Sequence, residues 1–252
     1  MSQNIALITG ASRGLGKNAA LALAKAGVDL IITYHSKAGE AEDVVAEAKW
    51  MGRKAVAMQL DTGNISAFAD FSTQLTSHLQ QIWQRDQFNF LVNNAGFGAY
   101  APLNQTTEQQ FDALMNVHFK GVFFLTQTLS PKIADGGSIL NLSSGLTRFA
   151  LPGYGAYAAM KGAVEVLSRY LALESGARGI RVNTLAPGAI ETDFGGGTVR
   201  DNADINSYIA SQTALGRVGL PDDIGGVVQM LLSEQSGWIN GQRIEVSGGI
   251  HL

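Results

Sequence analysis

Short and nearly continuous apolar runs recur along the chain, separated by longer segments in which apolar residues return every three or four positions. The short runs predict strands at 5–9, 28–34, 55–60, 88–92, 138–142, 180–185 and 243–246; the longer segments predict helices over 15–26, 39–51, 65–84, 107–130, 157–176 and 222–233. A strand with one wet face alternates apolar and polar residues. These runs do not, so both of their faces must be covered, as in parallel strands flanked by crossover helices. The expected fold is therefore α/β: a doubly wound sheet of about seven parallel strands with helices on both faces. Thr106-Thr107-Glu108 has the chemistry of a helix start, and Pro221-Asp222-Asp223 combines a rigid first turn with acids at the positive end of the helix dipole. No linker, repeat or low-complexity tract divides the chain, so residues 1–252 are expected to form a single domain. The least regular stretch, 191–215, holds Gly195-Gly196-Gly197 and then Arg200, Asp201, Asn202 and Asp204; it reads as a mobile flap over a site, and its composition equally fits a loose surface loop.

Composition narrows the functional classes. With 46% hydrophobic and 15% charged residues the chain has the make-up of a packed globular protein, not of a disordered one. A net charge of -3 and the lack of a local basic cluster argue against nucleic acid or an anionic membrane as partner. Without a cysteine there is no disulfide, thiolate nucleophile or thiolate metal site, which fits a reducing cytoplasm. His35, His78, His118 and His251 lack metal-ligand spacing; surface or packing roles are expected for them, and no metal. No stretch reaches the roughly 18 uninterrupted apolar residues of a membrane span, and the N-terminus has no basic segment followed by an apolar one, so a soluble, cytoplasmic protein is expected.

The first predicted strand runs into Thr9-Gly10-Ala11-Ser12-Arg13-Gly14-Leu15-Gly16, with a helix pattern after it. Glycines there let the backbone turn sharply and approach a pyrophosphate, while the helix start offers free N–H groups and a positive dipole end. Asn93-Asn94-Ala95-Gly96 follows the fourth strand, Ser143-Ser144 the fifth, and Tyr157 and Lys161 stand four apart on a predicted helix, hence on one face. A neighbouring ammonium favours the phenolate and brings proton exchange nearer to neutral pH.

The glycine loop does not have the general G-x-G-x-x-G spacing. It resembles the T-G-x-x-x-G-x-G loop of the short-chain dehydrogenase/reductase family, and the Asn93–Gly96 segment, Ser144, Tyr157-Ala158-Ala159-Met160-Lys161 and Pro187-Gly188 follow in that family's order over nearly the whole chain. The resemblance implies a single Rossmann-type domain that moves a hydride reversibly between NADP(H) and a carbonyl or alcohol carbon. It implies that Tyr157 is the general acid in the reducing direction. Ser144 then hydrogen-bonds the same oxygen, and Lys161 lowers the Tyr157 pKa and holds the nicotinamide ribose. Asn116 takes the family's fourth catalytic position, where a helix kink carries a water. By the same resemblance the cofactor is met by Gly10, Ser12, Arg13, Gly14, Leu15 and Gly16 of the loop, by Tyr34, His35 and Ser36 at the second strand's tip, and by Asp61 and Thr62 after the third. Asn93, Ala95, Gly96, Tyr157, Lys161, Pro187, Gly188, Ile190 and Thr192 complete the set. Asn93 is equally suited to tying strands together. Two departures are the Asp61-Thr62-Gly63-Asn64 sequence, where many relatives carry a further acid, and Met160, where many carry Ser.

NADP(H) is expected over NAD(H), because Thr33-Tyr34-His35-Ser36-Lys37 has no acid to repel a 2′-phosphate, while Arg13 and Lys37 are placed to contact one. Such a charge-assisted contact is worth roughly 1.5–3 kcal/mol. Leu146, Phe149, Leu151, Tyr154, Phe97, Tyr100 and Phe194 predict an apolar, partly aromatic pocket, and so a ketone or aldehyde with a hydrophobic substituent. One alternative is a 3-oxoacyl-thioester reductase that meets acyl carrier protein through Arg148, Arg169, Arg178 and Arg181. Another is a catalytically idle NADPH-binding module, against which the intact Ser/Tyr/Lys set speaks. The resemblance further implies a homotetramer built by the helices near 107–130 and 157–176.

Overall fold

The computed structural model describes residues 3–252. Within them the apolar runs form seven strands: β1 (Ile5–Ile8), β2 (Asp29–Tyr34), β3 (Ala55–Gln59), β4 (Phe88–Asn93), β5 (Ile133–Leu142), β6 (Arg181–Pro187) and β7 (Arg243–Val246). All pair in parallel in one sheet, ordered β3-β2-β1-β4-β5-β6-β7. The helices are α1 (Gly14–Lys25), α2 (Ala38–Trp50), α3 (Phe68–His78), α4 (Glu108–Met115), α5 (Gly121–Leu129), α6 (Gly155–Glu174), the short α7 (Thr198–Asp201), α8 (Ala203–Ser211) and α9 (Asp222–Leu232).

Side-chain alternation along the strands divides the core in two. Ala6 and Ile8 of β1 pack with Leu23 of α1, Val44 of α2 and Val228 of α9. Ile5 and Leu7 pack on the other face with Phe71 of α3 and Leu125 of α5. Every strand residue of β1 is thus fully buried, which explains why its sequence carries no polar alternation.

The chain builds β1, β2 and β3 outward on one side, then crosses to start β4 on the other side of β1. Connections after β1 and β4 therefore diverge and leave a crevice at the strands' carboxyl ends, where parallel α/β sheets bind ligands.

The structure departs from the expected elements in four places, the first being 65–84, where the α-helix Phe68–His78 lies between a 3-10 turn, Ile65–Ala67, and a π-helical turn, Leu79–Trp83. β5 begins five residues early, because Gly136 at φ +75° and a register shift opposite Phe88 and Phe90 carry it through Ala134-Asp135-Gly136-Gly137, which has the composition of a turn. The long helix expected over 107–130 is two α-helices joined by a π-helical turn, Asn116–Lys120; Thr107 starts it with a capping box to Gln110. The stretch 191–215, expected to be irregular, holds α7 and α8, the latter capped by Asn202, whose side chain accepts from Asp204 and Ile205 N–H.

Candidate active site

The loop after β1 is shaped by what its glycines exclude. Gly10 has φ +63° and a Cβ on it would stand 2.8 Å from Ala95 Cα; a Cβ on Gly16 would run into the Gly10 carbonyl and 2.5 Å from the Asn94 amide. That amide donates to the Thr9 and Gly10 carbonyls at 2.9 and 3.0 Å, and Thr9 Oγ1 accepts from Asn94 and Ala95 N–H, each at 3.0 Å. The ends of β1 and β4 are thereby stitched side by side. α1 starts at Gly14 with neither a side-chain cap from Arg13 nor an acid in its first turn. Its first N–H groups are left to an anion, so the loop fits a dinucleotide pyrophosphate. Ser12 is half-buried and Leu15 packs on the core below.

At the edge of the crevice, Tyr34, His35 and Ser36 end β2 without an acid among them. His35 faces Asp61 at 3.8 Å, and Asp61 also accepts from Gly63 N–H at 2.8 Å. The Thr62 carbonyl lies where a Cβ on Gly121 would be, so the 61–63 turn is pinned to α5. Arg13 reaches Asp193 at 3.6 Å and Lys37 reaches Glu40 at 3.9 Å, two loose and exposed pairs. Pro187 and Gly188 leave β6, Ile190 bridges to Gly219, and the buried Thr192 sits over Gly14.

Asn93 is turned inward. Its amide donates to Thr126 Oγ1 at 3.0 Å and Asn141 Oδ1 at 2.8 Å, so its side chain ties β4 to β5 and α5 rather than facing the crevice. Gly96 has a reason besides cofactor approach, since a Cβ there would meet the His118 ring at 2.6 Å.

Ser144, Tyr157 and Lys161 come together at the carboxyl end of β5. Ser144 caps the turn Gly145–Thr147, accepting from Leu146 N–H at 3.2 Å. Tyr157 and Lys161 lie one turn apart on α6, both buried. The ammonium donates to the Leu142 carbonyl at 2.8 Å and stands 5.7 Å from the centre of the Tyr157 ring. Burial moves the two groups in opposite directions. It pushes the phenol well above its ordinary 10, with Ser144 pulling weakly the other way, and brings the ammonium down to about 8. The net direction at Tyr157 is therefore upward, not the lowering expected from Lys161, because loss of water is the largest effect on the phenol.

Asn116 is the member of the expected set that the structure does not bring to Tyr157. Leu114 is buried in one cluster with Tyr157, Met115 packs against that cluster, and the His118 ring lies edge-on to the Tyr157 ring, whereas Asn116 has no recorded contact with it. Among the described residues the Asn116 side chain has no hydrogen bond. His118 is fully buried, with its ring centre 5.1 Å from that of Tyr157.

Sequence reasoning also missed the ion network behind Ser144. Glu165 on α6 accepts from Ser143 at 2.6 Å, Thr147 at 2.7 Å and Arg243 at 2.8 Å; Arg243 also reaches the Ser144 carbonyl. Glu245 joins Arg243 to Arg148, and its carboxyl is held down to about 2, chiefly by Arg148. One signal was present: Arg243 and Glu245, two apart on a strand, share a face. The four arginines weighed for an acidic carrier are spent elsewhere. Arg148 is bound in this network, and Arg169 donates to the Glu165 carbonyl. Arg178 pairs with Asp135, and Arg181 binds the carbonyls at the end of α9, both near the amino ends of β5 and β6, away from the crevice.

Over the site, Phe194 lies 6.0 Å from the Tyr157 ring and against Gly98, Leu146 packs beside Tyr157, and Phe97 stands 5.2 Å from His118. Tyr100 and Tyr154 pair edge to face at 5.5 Å, while Phe149 turns away to pack on His251. Phe97, Tyr100, Leu151 and Phe194 keep exposed surface.

The chain is similar to known proteins over nearly its whole length. Residues 10–251 match the family model described as enoyl-(acyl carrier protein) reductase. A tetrahydroxynaphthalene reductase, PfmaG of Pestalotiopsis fici, is 37% identical over 97% of this chain and 90% of its own. Among solved structures, the promiscuous reductase LugOII, which catalyses keto-reduction at C1 during lugdunomycin biosynthesis, superposes with a TM-score of 0.94 at 34% identity, covering 100% of this chain and 99% of its own. The landomycin C-6 ketoreductase LanV, solved with bound NADP and rabelomycin, gives 0.90 at 33% identity, covering 99% and 97%.

Proposed function

The chain belongs to the short-chain dehydrogenase/reductase family, and on that premise we propose that it reduces the keto group of an apolar, aromatic ketone at the expense of NADPH. Bound NADPH supplies the hydride. Tyr157 gives its proton to the carbonyl oxygen, and burial keeps the phenol loaded for that step. Ser144 donates a hydrogen bond to the same oxygen, which opposes the charge developing there and fixes the carbonyl's orientation. Lys161, dry and close by, stabilises the phenolate that proton donation leaves. The cofactor is assigned to the loop from Gly10 to Gly16, with Arg13 and Lys37 for its 2′-phosphate, Asp61 and Thr62 for its adenine, and Pro187, Gly188, Ile190 and Thr192 for its nicotinamide half.

The observation that carries this proposal is the meeting of Ser144, Tyr157 and a buried Lys161 at the mouth of the crevice, beside Phe97, Leu146 and Phe194. Aromatic walls favour flat rings by stacking, and PfmaG and LanV are named for, or hold, such compounds. A carrier-protein substrate draws no support from Arg148, Arg169, Arg178 and Arg181, which are committed to internal bonds. A homotetrameric assembly is assigned to the same protein, supported by the exposed apolar stripe Val166, Tyr170 and Leu173 on α6.

NADPH oxidation against hydroxynaphthalenone-type ketones, aryl ketones, keto esters and acyl thioesters tests the proposal. Turnover of the aromatic ketones is expected, falling at least about 10²-fold in Tyr157→Phe. Activity surviving that change, or confined to acyl thioesters, would defeat it.

A further inference from the structure

The turn that carries the Ser144 hydroxyl is closed by Arg148. Ser144 Oγ accepts from Leu146 N–H at 3.2 Å, which leaves its own hydrogen for a carbonyl oxygen, and Arg148 N–H donates to the Gly145 carbonyl at 2.9 Å. The Arg148 side chain then leaves the turn and meets four acceptor atoms. Nε and Nη2 grip the two carboxylate oxygens of Glu245 on β7 at 2.8 and 2.6 Å. Nη2 also donates to the Ile250 carbonyl at 2.6 Å, and Nη1 to the His251 carbonyl at 3.0 Å. Glu245 in turn holds Arg243, whose guanidinium reaches the Ser144 carbonyl at 3.3 Å. A charge on a solvated face needs no such set of partners. A guanidinium spread over a carboxylate and two backbone carbonyls fixes position more than it adds stability, and the single ammonium of a lysine cannot reproduce its fork.

The segment that Arg148 grips is held on its other edge as well. Ile250 bridges to Thr213, His251 N–H donates to the Gln212 carbonyl at 2.9 Å, and Ala214 and Leu215 N–H donate to the carbonyls of Gly249 and Gly248, each at 3.1 Å. Residues 212–215 are the exit of the flap, directly after α8, and nearer its entry the flap sets Phe194 over Tyr157. His251 has φ +51°, a left-handed backbone that a residue with a side chain keeps only when its surroundings impose it. Those surroundings are its neighbours on both edges: the flap exit takes its N–H, Arg148 takes its carbonyl, and Phe149 meets its ring with 4.6 Å between centres. Residues 248–251 therefore have one edge on the flap and the other on the turn of Ser144.

Building on the ketone-reductase reading, we propose that Arg148 is a positioning residue for Ser144: its guanidinium locks the turn that Ser144 caps onto Glu245 and residues 250–251, and through residues 248–251 it ties the aim of the Ser144 hydroxyl to the exit of the flap. Arg148 touches neither ketone nor cofactor. It acts by keeping Leu146 N–H on Ser144 Oγ, so that the remaining hydroxyl hydrogen points at the ketone oxygen.

Steady-state kinetics with NADPH and a hydroxynaphthalenone-type ketone test this, with thermal melts confirming that each variant folds. Arg148→Ala is expected to lose about tenfold in kcat, with the KM for NADPH within about twofold of native. The same substitution made on Ser144→Ala is expected to cost less than about twofold, because a residue that acts through the Ser144 hydroxyl has nothing left to act on. Arg148→Lys keeps the charge and loses the fork, so its kcat is expected to fall with that of Arg148→Ala; as the milder change it carries the same comparison should Arg148→Ala fail to fold. A native kcat in either variant, or a cost of about tenfold that persists in the Ser144→Ala background, overturns the assignment. A further readout needs no turnover. Amide hydrogen exchange in Arg148→Lys is expected to quicken both over 144–149 and over 212–215 while β1 and β2 stay as in the native chain, and unchanged exchange over 212–215 would refute the tie to the flap. A native chain that reduces no ketone defeats the functional reading, whereas the exchange pattern still decides whether Arg148 joins the turn to the flap.

Discussion

At the scale of single residues the site is governed by loss of water. Lys161 titrates near 10.5 in the unfolded chain and near 8 when folded, so between those values the unfolded state holds the extra proton and stability rises with pH. Tyr157 acts in reverse, because its folded pKa lies above its unfolded 10; beyond that pH the folded state holds the extra proton and stability falls. Tm is therefore expected to climb from pH 8 toward 10 and then drop. Lys161→Met should abolish the climb and leave the drop, and a climb that persists in that variant would place its origin outside Lys161. Arg13 makes a different kind of prediction. Its pair with Asp193 is 3.6 Å long and about half exposed, worth little in water and readily exchanged for a phosphate. Arg13→Ala should raise the KM for NADPH about tenfold and change that for NADH little; equal effects on both would remove the 2′-phosphate from its role.

At the scale of elements, the legibility of the sequence followed from how local each cause was. The β1 loop, α1 and the Tyr157–Lys161 pair rest on spacing along one segment, and a fixed helical or glycine spacing can be read without knowing the neighbours. Asn116 shows where that stops. Both Asn116 and His118 lie on a segment that reads as helix, but which of them meets Tyr157 depends on the phase of the π-helical turn and on the glycine opposite. Gly96 supplies the test. Its missing side chain admits the His118 ring, so Gly96→Ala should destabilise the fold by about 1–3 kcal/mol through overpacking. Gly96→Ala combined with His118→Ala should recover part of that loss in chemical denaturation, since the smaller residue makes room. Strictly additive losses would mean the two positions are not in contact. The strand start at Ile133 and the helices over 198–211 were hidden for a related reason: glycine-rich, polar composition signals a turn, while tertiary partners and the Asn202 cap decide the outcome.

At the scale of the whole molecule, pairs far apart in sequence hold the parts in register, and these had no local signature. Glu165 and Arg243 are 78 residues apart, yet their bond sets the backbone of Ser143 and Ser144 against α6. Burial explains the interior, but it leaves an apolar stripe outside: Val166, Tyr170 and Leu173, at positions one turn apart on α6, are 46%, 61% and 80% exposed, and Phe111 and Phe123 are exposed on the helices beside it. A stripe of this kind on one helix face is the pattern by which helices pair across an interface. If the homotetramer is right, light scattering should give about four times the 26.7 kDa of one chain. Tyr170→Glu, placing charge in the middle of the stripe, should shift the population to smaller species while leaving the near-ultraviolet spectrum of the fold intact. A native protein of 26.7 kDa would show that the stripe serves no self-association. A Tyr170→Glu tetramer of undiminished mass would locate the interface on another face of the molecule.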